Sequence, residues 1–432
     1  MSPWEQGLGA FAALAVLLVL GVPVGFAMIL VGIGGLAAVI GLMPALGMLA
    51  QLSVSNTMSY ELSVVPMFIL MGSFIARSGI AADLYAACNG FVGHRRGGLA
   101  LATVMACGGF AAVCGSAIAT AATFSKVAFP SMLRFGYHRG LASATICAGG
   151  TLGILIPPSV IMVIYGIMTS TDIARLFMAG VIPGLLAILL YALTIQVIVW
   201  RHPQAGPAGA RLDWADRLRL LRRVGPVVAL FALIMGGLYA GAFTATEAAG
   251  IGAAGAFVFA LLRGGMGWRD FLGCATETAQ ITATLFLILI GALVFSNLMN
   301  FVRFPTALQD LVGALGVNRH LVIATICALY VVLGTFFEEL SMILLTVPIF
   351  FPIVKSLGFD PIWFGIVIVM VVELGLISPP VGMNLFVVQS TLGLPSGLLF
   401  RWITPFVVAD ILRLVLIVAF PAIALTLPRL MG

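Results

Sequence analysis

The chain has 432 residues, of which 62% are hydrophobic and only 8% are charged. Because soluble proteins carry about a quarter charged residues, this composition excludes a soluble globular protein and predicts a polytopic membrane protein. The formal net charge is +6, and six arginines lie in residues 201–223 beside Asp213 and Asp216. We expect this segment to be cytoplasmic by the positive-inside tendency. Since no basic and aromatic groove accompanies it, nucleic acid is not a predicted partner.

The first apolar segments form the start of the chain. Residues 8–42 are interrupted by Gly21-Val22-Pro23-Val24-Gly25 and predict two short spans or one long bent span. No basic n-region precedes them, so we expect an uncleaved first span rather than a signal peptide. Another span begins in residues 64–76, and residues 83–98 predict a helix that lies along the membrane surface.

The stretch at about residues 108–130 is rich in small and hydroxyl-bearing side chains. It is too short to cross the membrane and return, and it directly precedes a broken segment, so it predicts a re-entrant helical hairpin. Small residues by themselves also fit an ordinary tight helix interface, and this alternative stays open. If the stretch is helical, Ser116 and Thr120 share one face.

A broken transmembrane helix is predicted at about residues 142–169. Its centre reads Gly149-Gly150-Thr151-Leu152-Gly153-Ile154-Leu155-Ile156-Pro157-Pro158-Ser159. The two prolines remove backbone donors, and the glycines loosen the helix. Lipid cannot satisfy the freed carbonyl groups, so such a break persists only where protein, water or a bound ion supplies partners. Discontinuous helices of this kind are the usual ion and substrate sites of secondary transporters.

A second break of the same kind is predicted later in the chain, in the stretch from Glu373 to Asn384. Gly153 corresponds to Gly375 (375 − 153 = 222), and both Pro-Pro pairs obey this spacing. Because the matches fall on residues that set backbone shape, they predict two structural repeats. The predicted fold class is an all-α polytopic membrane protein with two inverted repeats, each with a re-entrant hairpin and a broken helix. The predicted domains are residues 1–200, a basic cytoplasmic linker at residues 201–224, and residues 225–432.

The second repeat contains further predicted elements before its hairpin. Thr244 or Thr246 can cap a helix together with Glu247. Residues 268–278 predict an amphipathic surface helix, and residues 303–318 predict a second surface arm. The second hairpin is predicted at about residues 331–352, and the second broken helix at about residues 362–392.

Two adjacent carboxylates stand at the second hairpin. By the spacing of the repeats, Glu338 corresponds to Ser116, and Glu339 follows it. Such groups cost several kcal/mol at membrane depth unless they are paired or bound to an ion. They therefore predict a cation site or its support, with a wet hairpin mouth as the alternative.

The sequence lacks the motifs that are typical of several other classes of function. Six cysteines occur without a CxxC pair and four histidines without an HExxH pair, so neither a disulfide framework nor a metal site is predicted. No GxxxxGK[ST] loop is present, so we expect the energy to come from an ion gradient. A passive channel is disfavoured because the repeats carry breaks rather than a ring of pore-lining charges.

Two hairpins that face two breaks predict paired sites. Backbone carbonyls and hydroxyls can replace a hydration shell there, and hard oxygen ligands of this kind suit Na⁺. Half-helix N-termini beyond the Pro-Pro pairs favour an anionic group. The residues therefore predict a carrier of an organic anion, with no cofactor and with Na⁺ as the coupling ion.

Four motifs in order carry a resemblance to a known family. They are Gly115-Ser116-Ala117-Ile118-Ala119-Thr120-Ala121, the run from Gly149 to Ser159, Phe243-Thr244-Ala245-Thr246-Glu247-Ala248-Ala249, and Ser378-Pro379-Pro380-Val381-Gly382-Met383-Asn384. Together they resemble the large membrane subunit (M, or DctM-type) of TRAP transporters over nearly the whole chain. Many relatives have a proline between the two threonines of the third motif, where this chain has Ala245.

The resemblance implies an elevator-type, Na⁺-coupled symporter of the bacterial inner membrane. It implies a small Q-type membrane subunit and a periplasmic P-type binding protein as partners, and a carboxylate such as a C4-dicarboxylate or sialic acid as the solute. It implies a first Na⁺ site at Ser116, Gly149, Gly150, Thr151 and Gly153. It implies a second Na⁺ site at Gly334, Thr335, Glu338, Glu373 and Gly375. It implies a substrate site near Ser116, Thr120, Ser159, Thr169 and Asn384.

Two alternatives remain open at this point. A related Na⁺/carboxylate carrier that works without a binding protein shares both hairpins and both breaks. The need for a soluble binding protein in uptake separates the two. A membrane-embedded enzyme is the remote alternative, because neither a metal triad nor a nucleophile elbow is present.

Overall fold

The computed structural model describes residues 2–264, 266–314, 316–335 and 337–431. Over these residues the secondary structure is helical, and they contain no strand. Six of the described helices are long and apolar enough to cross a membrane, or seven if one bent helix pair counts as a single span. The prediction of an all-α polytopic membrane protein is therefore confirmed.

The first half of the chain forms ten helices within the described residues, with a short 3₁₀ turn before the fourth. They are α1 (Pro3–Val19), α2 (Val24–Ile40), α3 (Leu42–Thr57), α4 (Val64–Arg77), α5 (Ile80–Val92), α6 (Gly98–Cys114), α7 (Ala117–Arg134), α8 (Arg139–Leu155), α9 (Val160–Thr169) and α10 (Ile173–Arg201). Helices α3 and α4 form the bent pair, with an angle of 62° between them.

The second half continues with a comparable series of helices. They are α11 (Trp214–Tyr239), α12 (Ala245–Leu262), α13 (Trp268–Phe301), α14 (Phe304–Ala314), α15 (Arg319–Gly334), α16 (Glu339–Ser356), α17 (Pro361–Ile377), α18 (Met383–Leu392), α19 (Ser396–Ala419) and α20 (Ala422–Leu430). Helix α13 takes the place of the α3 and α4 pair as one continuous helix of 34 residues.

Helix boundaries repeat with the spacing found in the sequence. Helix α7 begins at Ala117 and α16 begins at Glu339 (339 − 117 = 222). Helices α8 and α17 begin and end with the same offset, since 361 − 139 and 377 − 155 are both 222. The glycine and proline pattern therefore marks a repeat of whole helices.

The two repeats interlock through an exchange of helix contacts. Helix α2 packs on α13 while α12 packs on α4, and α1 packs on α14 while α5 packs on α11. Glycines permit the close approach: a Cβ atom on Gly291 would lie 2.5 Å from the carbonyl oxygen of Gly25. We call α1–α5 with α11–α14 the frame, and α6–α10 with α15–α20 the core. The core holds both hairpins and both breaks.

Ion pairs also connect the frame helices at α5, the helix predicted to lie along the membrane surface. Asp83 of α5 is almost buried and forms an ion pair with Arg263 of α12. Arg223 of α11 lies 3.9 Å from the same carboxylate. These contacts join α5 to the helices that open the second repeat.

Several boundaries differ from the predicted ones. The hairpin helices span residues 98–134 and 319–356, which is longer than predicted, because the small residues at their ends continue the helices instead of ending them. The segment at residues 268–278, predicted as a surface helix, is helical but is not a separate element, since it is the first part of α13. In the predicted linker, helix α11 already begins at Trp214.

The predicted cap before α12 is confirmed. Thr244 is the N-cap residue, and its side-chain oxygen accepts a hydrogen bond from the amide of Glu247 at 3.3 Å. The carboxylate of Glu247 accepts in return from the amide of Thr244 at 2.8 Å. This reciprocal pair satisfies two amides that lack helical partners.

Candidate ion and solute site

The tip of the first hairpin docks on the first break through backbone atoms. Gly115 adopts φ +67 and ends α6, and Ser116 caps α7. A Cβ atom on Gly153 would lie 2.4 Å from the carbonyl oxygen of Ser116, which is too close for a real contact. A Cβ atom on Gly115 would lie 3.0 Å from the carbonyl oxygen of Pro158. Glycine at these positions therefore allows direct contact between hairpin and break.

The first break separates α8 from α9 at Ile156 to Ser159. The bond between Pro157 and Pro158 is cis. Ser159 caps α9, and its hydroxyl donates a hydrogen bond of 2.6 Å to the carbonyl oxygen of Ile154. One carbonyl freed by the break is thus satisfied by protein, as the membrane requires.

The second hairpin meets the second break in a similar way. A Cβ atom on Gly375 of α17 would lie 2.7 Å from the Cα atom of Gly334, the last residue of α15. Glu338 caps α16, and its carboxylate accepts from both the amide and the hydroxyl of Ser341 at 3.1 Å each. The bond between Pro379 and Pro380 is also cis. Phe336, near the hairpin tip, lies outside the described residues.

The residues predicted for the first Na⁺ site do not all converge. Ser116 and Gly153 are in contact, as described above. Gly150 faces Ala121 of α7, whereas Gly149 faces Cys107 of α6. The hydroxyl of Thr151 lies 3.2 Å from that of Tyr191 on α10. The structure thus brings Ser116 and Gly153 together, with Gly150 on the same side, toward α7.

The residues predicted to contact the substrate do not form one cluster, because Thr169 lies apart from the others. Thr120 is buried and donates a hydrogen bond of 2.7 Å to the carbonyl oxygen of Ser116. Asn384 of α18 reaches across from the second repeat, since its amide nitrogen lies 3.5 Å from the carbonyl oxygen of Cys147. Its Oδ1 atom is buried and has no hydrogen-bond partner among the described residues.

Thr169 is the residue that the structure separates from this group. It ends α9, whereas Ser159 caps the start of the same helix. With a rise of about 1.5 Å per residue, the two lie about 15 Å apart along the helix axis. The Thr169 hydroxyl instead donates to the carbonyl oxygen of Tyr165 and lies 2.8 Å from the hydroxyl of Thr171.

The residues of the second predicted Na⁺ site also divide. Gly334, Gly375 and Thr335 lie at the docking point, where the Thr335 hydroxyl donates to the carbonyl oxygen of Val332 at 2.8 Å. Glu373 is two residues before Gly375, so its side chain leaves α17 about 200° away around the helix. The carboxylate of Glu373 is bound by Arg413 of α19.

A buried polar network connects the two broken helices. Arg413 donates to the Glu373 carboxylate at 2.5 Å and lies 2.9 Å from that of Asp410. The Tyr191 hydroxyl donates to the second Asp410 oxygen at 2.6 Å and also reaches Thr151 on α8. All five residues are at most 2% exposed. Side chains from α8, α10, α17 and α19 are therefore joined by one chain of contacts, which we call the buried network.

Sequence reasoning missed three members of the buried network, although a signal was present. Asp410 and Arg413 lie three residues apart in the largely apolar part of α19 that follows Arg401, where they share one helix face. Ionisable residues inside a membrane span are expected to be paired and functional. Their partner Glu373 lies 40 residues away in sequence, and that pairing has no local signal.

A cavity of about 290 Å³ lies between the frame and the core. Both hairpins reach it, through Ser116 and Glu339, and the frame contributes Ser73, Arg77 and Glu277. Among the described residues, no group of three or more histidine, cysteine or acidic side chains could hold a metal ion. The polar groups present suit a small organic solute beside the docking points of the two hairpins.

Comparisons with known proteins agree with this architecture. The family model described as "Tripartite ATP-independent periplasmic transporter, DctM component" matches residues 11–423. The C4-dicarboxylate TRAP transporter large permease protein DctM of Pseudomonas aeruginosa is 37% identical over 374 residues, which cover 86% of this chain and 87% of that protein. The sialic acid TRAP transporter large permease protein SiaM of Vibrio cholerae is 32% identical over 418 residues, with 96% of each covered.

Two further comparisons extend these similarities. The ectoine/5-hydroxyectoine TRAP transporter large permease protein UehC of Ruegeria pomeroyi is 33% identical over 424 residues, which cover 96% of this chain and 97% of that protein. The crystal structure of the Alcanivorax borkumensis YdaH transporter matches with a TM-score of 0.62 at 16% identity, covering 88% of this chain and 89% of that one. The latter likeness shows a shared fold alone.

Proposed function

The chain belongs to the DctM family of large permease components of tripartite ATP-independent periplasmic transporters, and from this premise we propose that it imports an organic acid together with Na⁺. The membrane would be the bacterial inner membrane. The solute would be a carboxylate, in the class of the C4-dicarboxylates, sialic acid and ectoines after which its relatives are named. The energy would come from the Na⁺ gradient.

The observation that carries the Na⁺ proposal is the backbone docking of each hairpin on a broken helix. At the first site the Ser116 carbonyl lies against Gly153, and at the second Gly334 lies against Gly375. The Ser116 carbonyl begins α7 and already accepts hydrogen bonds from Thr120. Helices α6, α8, α15 and α17, however, end at the docking points, and the carbonyl groups of a helix C-terminus lack helical partners. Na⁺ is a hard cation that such oxygens can coordinate. We therefore assign one Na⁺ to each docking point.

The proposed solute site is the cavity between frame and core. The N-terminus of α7 reaches it at Ser116, and that of α9 reaches it at Val160 and Ile161. Helix N-termini carry partial positive charge and attract carboxylates. Because Ser116 belongs both to the cavity wall and to the first docking point, solute binding and Na⁺ binding would support each other.

Two protein partners complete the proposal. A small Q-type membrane subunit would pack against the frame, and a periplasmic P-type protein would deliver the solute. The frame helices expose large apolar side chains, including Leu30, which is 57% exposed, Leu233, which is 50% exposed, and Val258, which is 52% exposed. Lipid and the small subunit would share this surface.

The proposed function is tested by uptake into proteoliposomes. The chain is reconstituted with a Q-type small subunit and a P-type binding protein of the TRAP family, and the uptake of labelled succinate, N-acetylneuraminate and ectoine is measured. We expect uptake of at least one of these acids that requires both an inward Na⁺ gradient and the binding protein. Equal uptake without Na⁺ contradicts the coupling. Uptake by the chain without the binding protein favours the independent carrier instead.

A further inference from the structure

Glu339 is a buried carboxylate on the cavity wall that the proposed Na⁺ sites do not use. It is 6% exposed, and its Oε2 atom is buried without a hydrogen-bond partner among the described residues. The adjacent Glu338 differs, because Ser341 donates two hydrogen bonds to its carboxylate. A buried polar atom without a protein partner is costly, so a group from outside the chain is expected to satisfy it.

The other formal charges on the cavity wall have partners within the protein. Arg77 of α4 lies 3.5 Å from the Glu277 carboxylate and 3.8 Å from that of Asp270, both on α13. Glu339 forms no ion pair within the described part of the chain. Lys126, the basic residue of the first hairpin, is exposed and does not line the cavity. The α16 side of the cavity therefore presents a buried carboxyl group whose Oε2 atom has no partner among the described residues.

The other side of the cavity has the opposite polarity. Helix α7, with 18 residues, and helix α9, with 10 residues, both begin there. Their first turns carry amide groups and partial positive charge, which favour a carboxylate. A solute that fits both sides has a negative end and a positive or N–H-donating end.

We propose that this cavity selects a zwitterionic organic acid, whose carboxylate lies toward α7 and α9 and whose cationic group is bound by the Glu339 carboxylate. This inference rests on the proposed function and names the class of acid that is carried. A dicarboxylate would bring a second negative charge next to Glu339, and that repulsion acts against it. The cavity of about 290 Å³ is at the lower end for small-molecule sites, as a small zwitterion requires.

The test is equilibrium binding of two probes to the purified full-length chain in saturating Na⁺. Ectoine serves as the zwitterion and succinate as the dianion. We expect the unmodified chain to bind ectoine more tightly. In Glu339→Gln the affinity for ectoine should fall about 10- to 100-fold, because a charge-assisted hydrogen bond is lost, while that for succinate stays equal or rises. Glu339→Asp keeps the charge and should keep the preference for ectoine.

Each other outcome has a defined meaning. Tighter binding of succinate to the unmodified chain overturns the proposal, as does a Glu339→Gln variant with the original preference. A changed Na⁺ requirement in Glu339→Gln with an unchanged preference assigns this carboxylate to cation binding and also overturns it. If neither probe binds, the proposal is overturned. The Na⁺-dependent uptake assay then tests the proposed function separately. All variants are compared as monodisperse protein by gel filtration.

Discussion

Replacing Arg413 with methionine is expected to lower the free energy of unfolding by about 3–5 kcal/mol, the cost of breaking a buried ion pair from one side. The substitution leaves Glu373 and Asp410 without their counter-charge at positions that are 0% and 2% exposed. Because these carboxylates lie on α17 and α19, repulsion between them would loosen the core around the second break. Thermal unfolding in detergent and the yield of monodisperse protein measure the effect.

A charge-neutral variant provides the matched control. The triple substitution Arg413→Met, Glu373→Gln and Asp410→Asn removes the guanidinium together with both carboxylate charges. The loss in the single variant comes from the carboxylate charges that stay buried without compensation, and the triple variant removes these charges, so most of the loss should be recovered. A single Arg413→Met variant as stable as the unmodified chain would show that the buried network is not held by charge.

Gly153→Val is expected to abolish the first docking point. Its Cβ atom would lie 2.4 Å from the Ser116 carbonyl oxygen, so the hairpin tip must move away from α8. Overpacking of this kind costs about 1–3 kcal/mol, which corresponds to about 5- to 150-fold in Na⁺ affinity if the docked state binds the ion. The half-saturating Na⁺ concentration for uptake measures the change.

The control for this substitution is Gly236→Val in α11. The same change of side chain occurs inside a helix, but no atom lies within 4 Å of the added Cβ position. Both variants carry the same penalty of a β-branched residue, and only Gly153→Val disturbs the hairpin. Equal Na⁺ dependence in the two variants would show that the first docking point does not bind Na⁺.

The breaks were predictable from the sequence because their causes are local. Each break contains two consecutive prolines, Pro157-Pro158 and Pro379-Pro380, which remove two neighbouring backbone amides, whereas a single proline such as Pro183 stays inside its helix. The repeat was visible for the same reason, since Gly153 and Gly375 are set by backbone contact rather than by side-chain chemistry. The boundaries of the hairpins were less predictable, because alanine and glycine continue a membrane helix as well as they form a tight interface.

Side-chain partners across the fold were not predictable in the same way. Whether Glu373 faces the hairpin or α19 depends on the rotation of α17, which an apolar helix without a polar face does not reveal. Thr169 shows the same limit, since its distance from Ser159 follows from α9 remaining a continuous helix. The cavity requires the frame to pack on the core, so the position of Arg77 beside Glu277 has no counterpart in the sequence pattern.

The most direct test of the two docking points as Na⁺ sites is equilibrium binding of ²²Na⁺ to the purified chain and to its Gly153→Val, Gly375→Val and double variants. The account predicts two bound ions per unmodified chain. One of them should bind about 5- to 150-fold more weakly in each single variant, and both in the double variant, because a Cβ atom at either glycine would clash with its hairpin. Binding that is absent from the unmodified chain, or unchanged in the double variant, would contradict the account.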